Sequence, residues 1–166
     1  RLGEAYLVRG RLEKQKGSII SARNYYRKAL DKIIDGDTGE KIREELGRIN
    51  LELFLSPRID DGSRLYTVRS GDSLSAIASR FNTTAGYLMK ANSLKNSMIR
   101  PGQTLKVPTK RFQIVVSKSH NTLMLIYGGD YFKTYQVGTG RNNCSPAGEF
   151  TITTKLVDPP WIHAGE

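Results

Sequence analysis

The sequence predicts a multidomain α+β protein: a helical hairpin backed by a third helix, then a compact βααβ module, then a mostly-β segment. Three observations carry that reading. Apolar residues recur at helical spacing between Ala5 and Leu53, and short β-branched and aromatic runs replace them from Phe112 onward. Between the two lies Leu65 to Pro108, which switches from strand pattern to helix pattern and back, with a cap or turn signal at each switch. The expected boundaries are 1–56 for the helices, 57–64 for a connector, 65–108 for the βααβ module and 111–166 for the β-rich segment, within 166 residues in all.

In the helical part, Ala5, Tyr6 and Leu12 lead to a polar break at Lys14-Gln15-Lys16-Gly17, after which Ile19, Ala22, Tyr26, Ala29 and Ile33 recur on one face. A third helix is expected from about Gly39 to Phe54, where Ile42, Leu46, Ile49 and Leu53 form a stripe able to cover the hairpin. The run from Gly17 to Leu30 resembles the second half of a tetratricopeptide repeat, in which alanines let paired helices approach and an aromatic ring plugs the gap. Arg9 and Glu13 depart from that pattern, standing where the repeat has apolar residues, so the repeat reads as degenerate or capping; a generic three-helix segment is the other reading. One repeat cannot bury its own face, which leads to the expectation of further helices ahead of Arg1 and of a protein partner for this segment.

Ser56-Pro57 ends the third helix, and Arg58 to Arg64, with Asp60-Asp61-Gly62-Ser63, reads as a polar linker that lets its neighbours move somewhat independently. A strand over Leu65–Val68 follows, and Asp72 is placed to cap a helix whose inner face is Leu74, Ile77, Ala78 and Phe81, with Ser75, Ser79 and Arg80 toward water. Thr84 caps a second helix carrying Ala85, Leu88, Met89 and Asn92, Pro101-Gly102 has the type II turn signature, and Thr104 to Val107 closes the module. Tyr66-Thr67-Val68, Gly71-Asp72-Ser73-Leu74, Ile77-Ala78, Phe81, Leu88, Asn92, Ile99-Arg100-Pro101-Gly102-Gln103 and Leu105 to Pro108 together resemble a LysM domain, the small peptidoglycan- and chitin-binding module.

That resemblance implies a shallow groove for N-acetylglucosamine-containing glycans between two loops, here Gly71, Asp72, Ser73 and Leu74 on one side and Asn96, Ser97, Met98, Ile99 and Arg100 on the other. A neutral sugar needs exposed backbone donors and acceptors and an apolar floor for its acetyl methyl. Gly71 admits close backbone approach, and Leu74, Met98 and Ile99 are floor candidates, although Leu74 and Ile99 fit a core role equally. Tyr87 stands where the family usually has a polar residue, either as an exposed side chain or stacked on a sugar ring.

The formal charge of +10 is concentrated in this module: residues 61–110 hold eight basic and two acidic side chains, against 13 and 10 in 1–60 and five and four in 111–166. With no run of consecutive basic residues and few aromatics, that excess fits the anionic polymers of a cell wall better than a nucleic acid, which is the lesser reading. The single Cys144 forms no internal disulfide, and no apolar run approaches the length that spans a bilayer. An export signal or anchor is therefore expected before Arg1, and an extracytoplasmic place in a bacterial cell envelope rests on the glycan resemblance.

From Thr109-Lys110-Arg111 the texture becomes β: strands over Phe112–Ser117 and Asn121–Tyr127, a hairpin turn at Gly128-Gly129-Asp130, a returning strand to Val137, and a further strand over Glu149–Thr154. Leu123, Tyr127, Val137-Gly138-Thr139-Gly140, Ser145-Pro146-Ala147-Gly148-Glu149-Phe150-Thr151-Ile152 and Pro159-Pro160-Trp161 resemble the opening part of an L,D-transpeptidase catalytic domain of the YkuD type. The β-rich segment thus reads as an incomplete L,D-transpeptidase domain. The resemblance implies a cysteine nucleophile and a histidine downstream of Glu166, so catalytic residues within the chain are expected to be none. Cys144, His120 and His163 match no catalytic position of the family. The implied chemistry is acyl transfer between stem peptides, with peptidoglycan as partner and no metal or organic cofactor. Three classes of function stay open: such an enzyme, a wall-binding scaffold, and an interaction protein held at the wall.

Overall fold

The computed structural model describes residues 1–34, 36–140 and 144–153. Thr154, Pro159-Pro160-Trp161 and His163, with Asp35 ahead of the third helix, lie outside the described residues. Helices α1 (Leu2–Gln15) and α2 (Ile19–Leu30) pack on one another as a hairpin, and α3 (Gly36–Phe54) packs on α2. Their shared core is Leu7, Ala22, Tyr26, Ala29, Ile42, Leu46, Ile49 and Leu53; helical spacing singled out those of α2 and α3, but in α1 Leu7 takes the inner place while Ala5 and Leu12 are exposed and Tyr6 is half-buried. Ala22 and Ala29 are fully buried, and a methyl group added at Gly10 would rest on the Tyr26 ring at 3.4 Å, so small residues do bring α1 and α2 together around an aromatic plug. Glu13, at a position expected to be apolar, is buried and balanced by Arg9 at 3.1 Å and Lys16 at 3.6 Å.

Strand β1 (Ser63–Thr67) pairs antiparallel with β2 (Thr104–Pro108), and α4 (Leu74–Arg80) and α5 (Ala85–Ala91) lie between them in the chain. Val68, Leu74, Ile77, Ala78, Leu88, Ala91, Leu105 and Val107 form this module's core. The third unit is an antiparallel sheet of β3 (Phe112–Ser117), β4 (Thr122–Tyr127) and β5 (Asp130–Gln136), in the order β3-β4-β5, with a bulge where Leu125 passes to Ile126. The strand expected from Glu149 does not form: Glu149–Thr153 is irregular, with Phe150 71% and Ile152 62% exposed. An isolated extended segment has no ladder to take its backbone groups, so β propensity alone does not make it a strand.

The connector at 57–64 is the clearest departure from expectation. Its acids are paired, Asp60 largely covered and Asp61 still part-exposed, and the units on either side are not free of one another. Arg23, 4% exposed on α2, bonds Asp60 and Asp61, each at 2.5 Å, while Arg27 and Lys110 reach Asp61 and also Asp130 on the β4–β5 hairpin. Burial alone would raise the Asp61 carboxyl, but the hydrogen bond from Lys110 and the charges of Arg23, Arg27 and Lys110 hold it well below the carboxylate range; Asp60 is lowered likewise, with Ser63 and Arg23 as donors. Strand β1 already begins at Ser63, two residues ahead of the expected start, because the connector is anchored up to that point.

The three units meet at Phe54, the last residue of α3. Its ring lies 4.4 Å from Tyr87 of α5 and 5.3, 5.5 and 5.6 Å from Phe112, Tyr127 and Phe132 of the sheet, the last three edge-on. Buried Lys106 of β2 donates to the carbonyls of Leu53 (2.7 Å) and Ser56 (2.9 Å), a cation on the carbonyl end of α3. Asn50 donates to the carbonyls of Tyr131 and Phe132, and Tyr127 donates its hydroxyl to Gly62 O at 2.8 Å, burial pushing that phenol up to about 12. Gly62 has to be glycine for this contact, since a Cβ there would sit 2.6 Å from the Tyr127 ring.

Candidate functional site

The loop after β1 is shaped by one carboxylate. Asp72 accepts from the Tyr66 hydroxyl (2.7 Å) and the Arg69 amide (2.9 Å), with Arg80 at 3.7 Å. The Tyr66 hydroxyl bond, then the Arg69 amide, favour the ionised form and lower the Asp72 carboxyl. The helix cap expected of Asp72 falls instead to Ser73, whose Oγ accepts from Ala76 N at 3.2 Å. The physical reason is that Asp72 turns back toward the Tyr66 hydroxyl and the Arg69 amide behind it, and α4 starts one residue later. Thr84 does cap α5, accepting from Tyr87 N at 3.0 Å.

Gly71 has φ +83° and nothing within 4 Å of an added Cβ, so it combines a turn that disfavours a side chain with an open face. Ser73 is exposed beside it, whereas Leu74 is 2% exposed and belongs to the core, which removes it from the groove floor. As the first residue of α4 it points with Ile77 and Ala78 into the module. Tyr87 is also corrected: it is buried against Phe54 and offers no surface for a sugar ring.

The second loop is open. Asn96, Ser97, Met98 and Arg100 are exposed, Met98 at 74%, while Ile99 is half-buried against the module core. Asn96 Oδ1 accepts from Met98 N (3.0 Å), and Gln103 Oε1 accepts from Arg100 N (3.1 Å), so side chains within the loop hold its backbone. Arg100 O in turn accepts from Gln103 N across the expected Pro101-Gly102 turn. Asn96, Met98, Arg100 and Gln103 border an open groove of about 470 Å³. Gln103 is the residue that sequence reasoning left out of the site, although it directly follows the turn. Gly102 N donates to Val68 O and Val68 N to Gln103 O, which joins the bases of the two loops, but Gly71–Leu74 do not border the groove itself.

This groove has what neutral sugar recognition asks for, namely amide side chains, exposed backbone and an apolar methionine, with Arg100 adding a positive charge. A larger cleft of about 610 Å³ lies between α3 and strands β4 and β5. No residue of either loop lines it, and its arginines are already engaged, Arg43 on Ile34 O and Arg48 on Glu44 and Glu45, so it reads as the seam between helix and sheet.

In the β-rich segment, Cys144 is exposed, and His120 Nδ1 lies within hydrogen-bond distance of Ser117 Oγ (2.9 Å) and Ser119 Oγ (3.0 Å). Among the described residues no group of three or more His, Cys, Asp or Glu is arranged to hold a metal ion, and no helix is long and apolar enough to cross a membrane.

Comparison with known families matches residues 66–108 to the LysM domain and residues 111–166 to the L,D-transpeptidase catalytic domain. The chain therefore carries a LysM domain followed by an L,D-transpeptidase-type segment. Among curated proteins it is similar to the N-acetylmuramoyl-L-alanine amidase sle1 of Staphylococcus haemolyticus, 46% identical over 69 residues, covering 42% of this chain and 20% of that protein. The sle1 amidase of Staphylococcus aureus strain USA300 is 44% identical over 78 residues, 46% of this chain and 23% of that protein. The chain thus spans about a fifth of the length of the curated relatives it matches.

Proposed function

We propose that this chain is the wall-anchoring portion of a peptidoglycan cross-linking enzyme of the bacterial envelope, outside the cytoplasm. In this reading residues 65–108 hold N-acetylglucosamine-containing glycan at Gly71–Ser73 and Asn96–Arg100, with Gln103 added. Residues 111–166 are the first part of a catalytic domain that acts on stem peptides. The observation that carries the reading is the succession of the two domains in one chain, supported by the open groove at the second loop.

The chemistry proposed for the whole enzyme is acyl transfer. A cysteine thiolate attacks the carbonyl between diaminopimelate and D-alanine, the carbonyl–nitrogen bond breaks, and D-alanine leaves with a proton as the free amino acid. The amine of a second stem then attacks the thioester, forming the cross-link and returning the thiol. Such a step needs a nucleophile, an adjacent base and donors for the oxyanion. Cys144 sits in an irregular segment and His120 in the β3–β4 turn, the histidine occupied by two serines, and neither is assigned a part.

The test is co-sedimentation with insoluble peptidoglycan. The chain is expected to pellet, and exchanging both Gly71–Ser73 and Asn96–Arg100 for unrelated loops is expected to leave it in the supernatant. Full retention after both exchanges would move the glycan site elsewhere.

A further inference from the structure

We infer that helices α1–α3 act as an internal brace that fixes the glycan loops relative to the β3–β5 sheet, so that wall binding delivers the catalytic segment at one set offset. The functional part of this inference rests on the glycan-binding reading; the mechanical part does not. An eight-residue connector such as 57–64, if flexible, would let the parts it joins wander over about 15 Å. Tethering would then raise local concentration in every direction.

The structure opposes that freedom at three places. The Phe54 ring joins α3 to Tyr87 on one side and to Phe112, Tyr127 and Phe132 on the other. Lys106 seats β2 on the end of α3 through Leu53 O and Ser56 O, and Asn50 seats β5 on its middle through Tyr131 O and Phe132 O. Asp61 collects Arg23, Arg27 and Lys110, and the last two also hold Asp130, so one cluster of charges spans helix, connector and sheet. Each contact joins a helix or the connector to another unit. Tyr87 and Lys106 belong to the glycan module, and each is buried against the end of α3. The helices thereby have an occupation within the chain itself.

The experiment is a spin-label distance measurement on the full chain, in a Cys144→Ser background. Exposed Met98 on the glycan loop is changed to Cys together with exposed Gln113 on the sheet, and in a second protein with exposed Glu44 on α3. No glycan is present, so the result is independent of whether the loops bind one. A single narrow distance distribution is expected for both pairs, broadened about twofold or more by Phe54→Ala toward the spread of a free connector. Should Phe54→Ala fail to fold, the Asp60→Asn, Asp61→Asn protein tests the charged cluster in the same way. A broad distribution in the parent protein, or one that stays narrow in a folded variant, would overturn the brace.

Discussion

Truncating Phe54 to alanine perturbs all three units at once, because its ring at the end of α3 touches Tyr87 of α5 and Phe112, Tyr127 and Phe132 of the sheet. A Phe-to-Ala change in a core costs about 3–5 kcal/mol through lost transfer energy and the cavity left behind. Phe54 is only half-buried, which pulls the figure to the lower end, while its four aromatic contacts at 4.4–5.6 Å, each worth about 0.5–1.5 kcal/mol beyond area, pull it back up. A loss of about 3 kcal/mol is expected from urea denaturation followed by far-ultraviolet circular dichroism. The unfolding curve should also change form: the parent protein loses helix and strand together, and the variant in separate steps as its units come apart. A loss below about 1 kcal/mol with one sharp transition retained would refute the role given to Phe54.

Other outcomes follow from the same geometry. Tyr87 buries a hydroxyl with no hydrogen-bond partner among the described residues, so Tyr87→Phe should keep the ring contact and leave thermal stability unchanged or raised by about 1 kcal/mol, without effect on peptidoglycan pelleting. Asp60 and Asp61 have carboxyls depressed in the folded state, so their stabilisation is complete above the unfolded value of about 3.9 and is lost as pH falls below it. Denaturation midpoints should accordingly stay level from neutral pH to about 5 and drop below about 4, with a shallower drop in the Asp60→Asn, Asp61→Asn protein. Residues 1–166 by themselves should release no D-alanine from a tetrapeptide donor by mass spectrometry. In a longer protein that does, Cys144→Ser should leave turnover within about twofold, as expected of a thiol outside the reacting atoms.

What the sequence made legible was whatever depends on local pattern. The stripe of Ile42, Leu46, Ile49 and Leu53, the Thr84 cap, the Pro101-Gly102 turn and the β3–β5 meander each follow from spacing or backbone preference within a few residues. The misread parts depend on residues far away in the chain. Asp60 and Asp61 resemble a solvated linker until Arg23, 37 and 38 positions earlier, is placed beside them. Tyr87 looks like an exposed helix residue until Phe54 is stacked on it. Of the candidate site, the second loop could be read directly, because Asn96, Met98 and Arg100 are fixed by their own turn. Leu74 was ambiguous for a physical reason, since a first helical residue can face either the loop or the core.

The measurement that bears most directly on the glycan reading is a titration of the isotope-labelled chain with a soluble N-acetylglucosamine oligomer, followed through backbone amide resonances. Progressive, saturable shifts are predicted at Gly71–Ser73, Asn96–Arg100 and Gln103, with α1–α3 and the β3–β5 sheet unmoved. Saturation with no shift in these loops, or shifts confined to the helices or the cleft between α3 and β5, would contradict it.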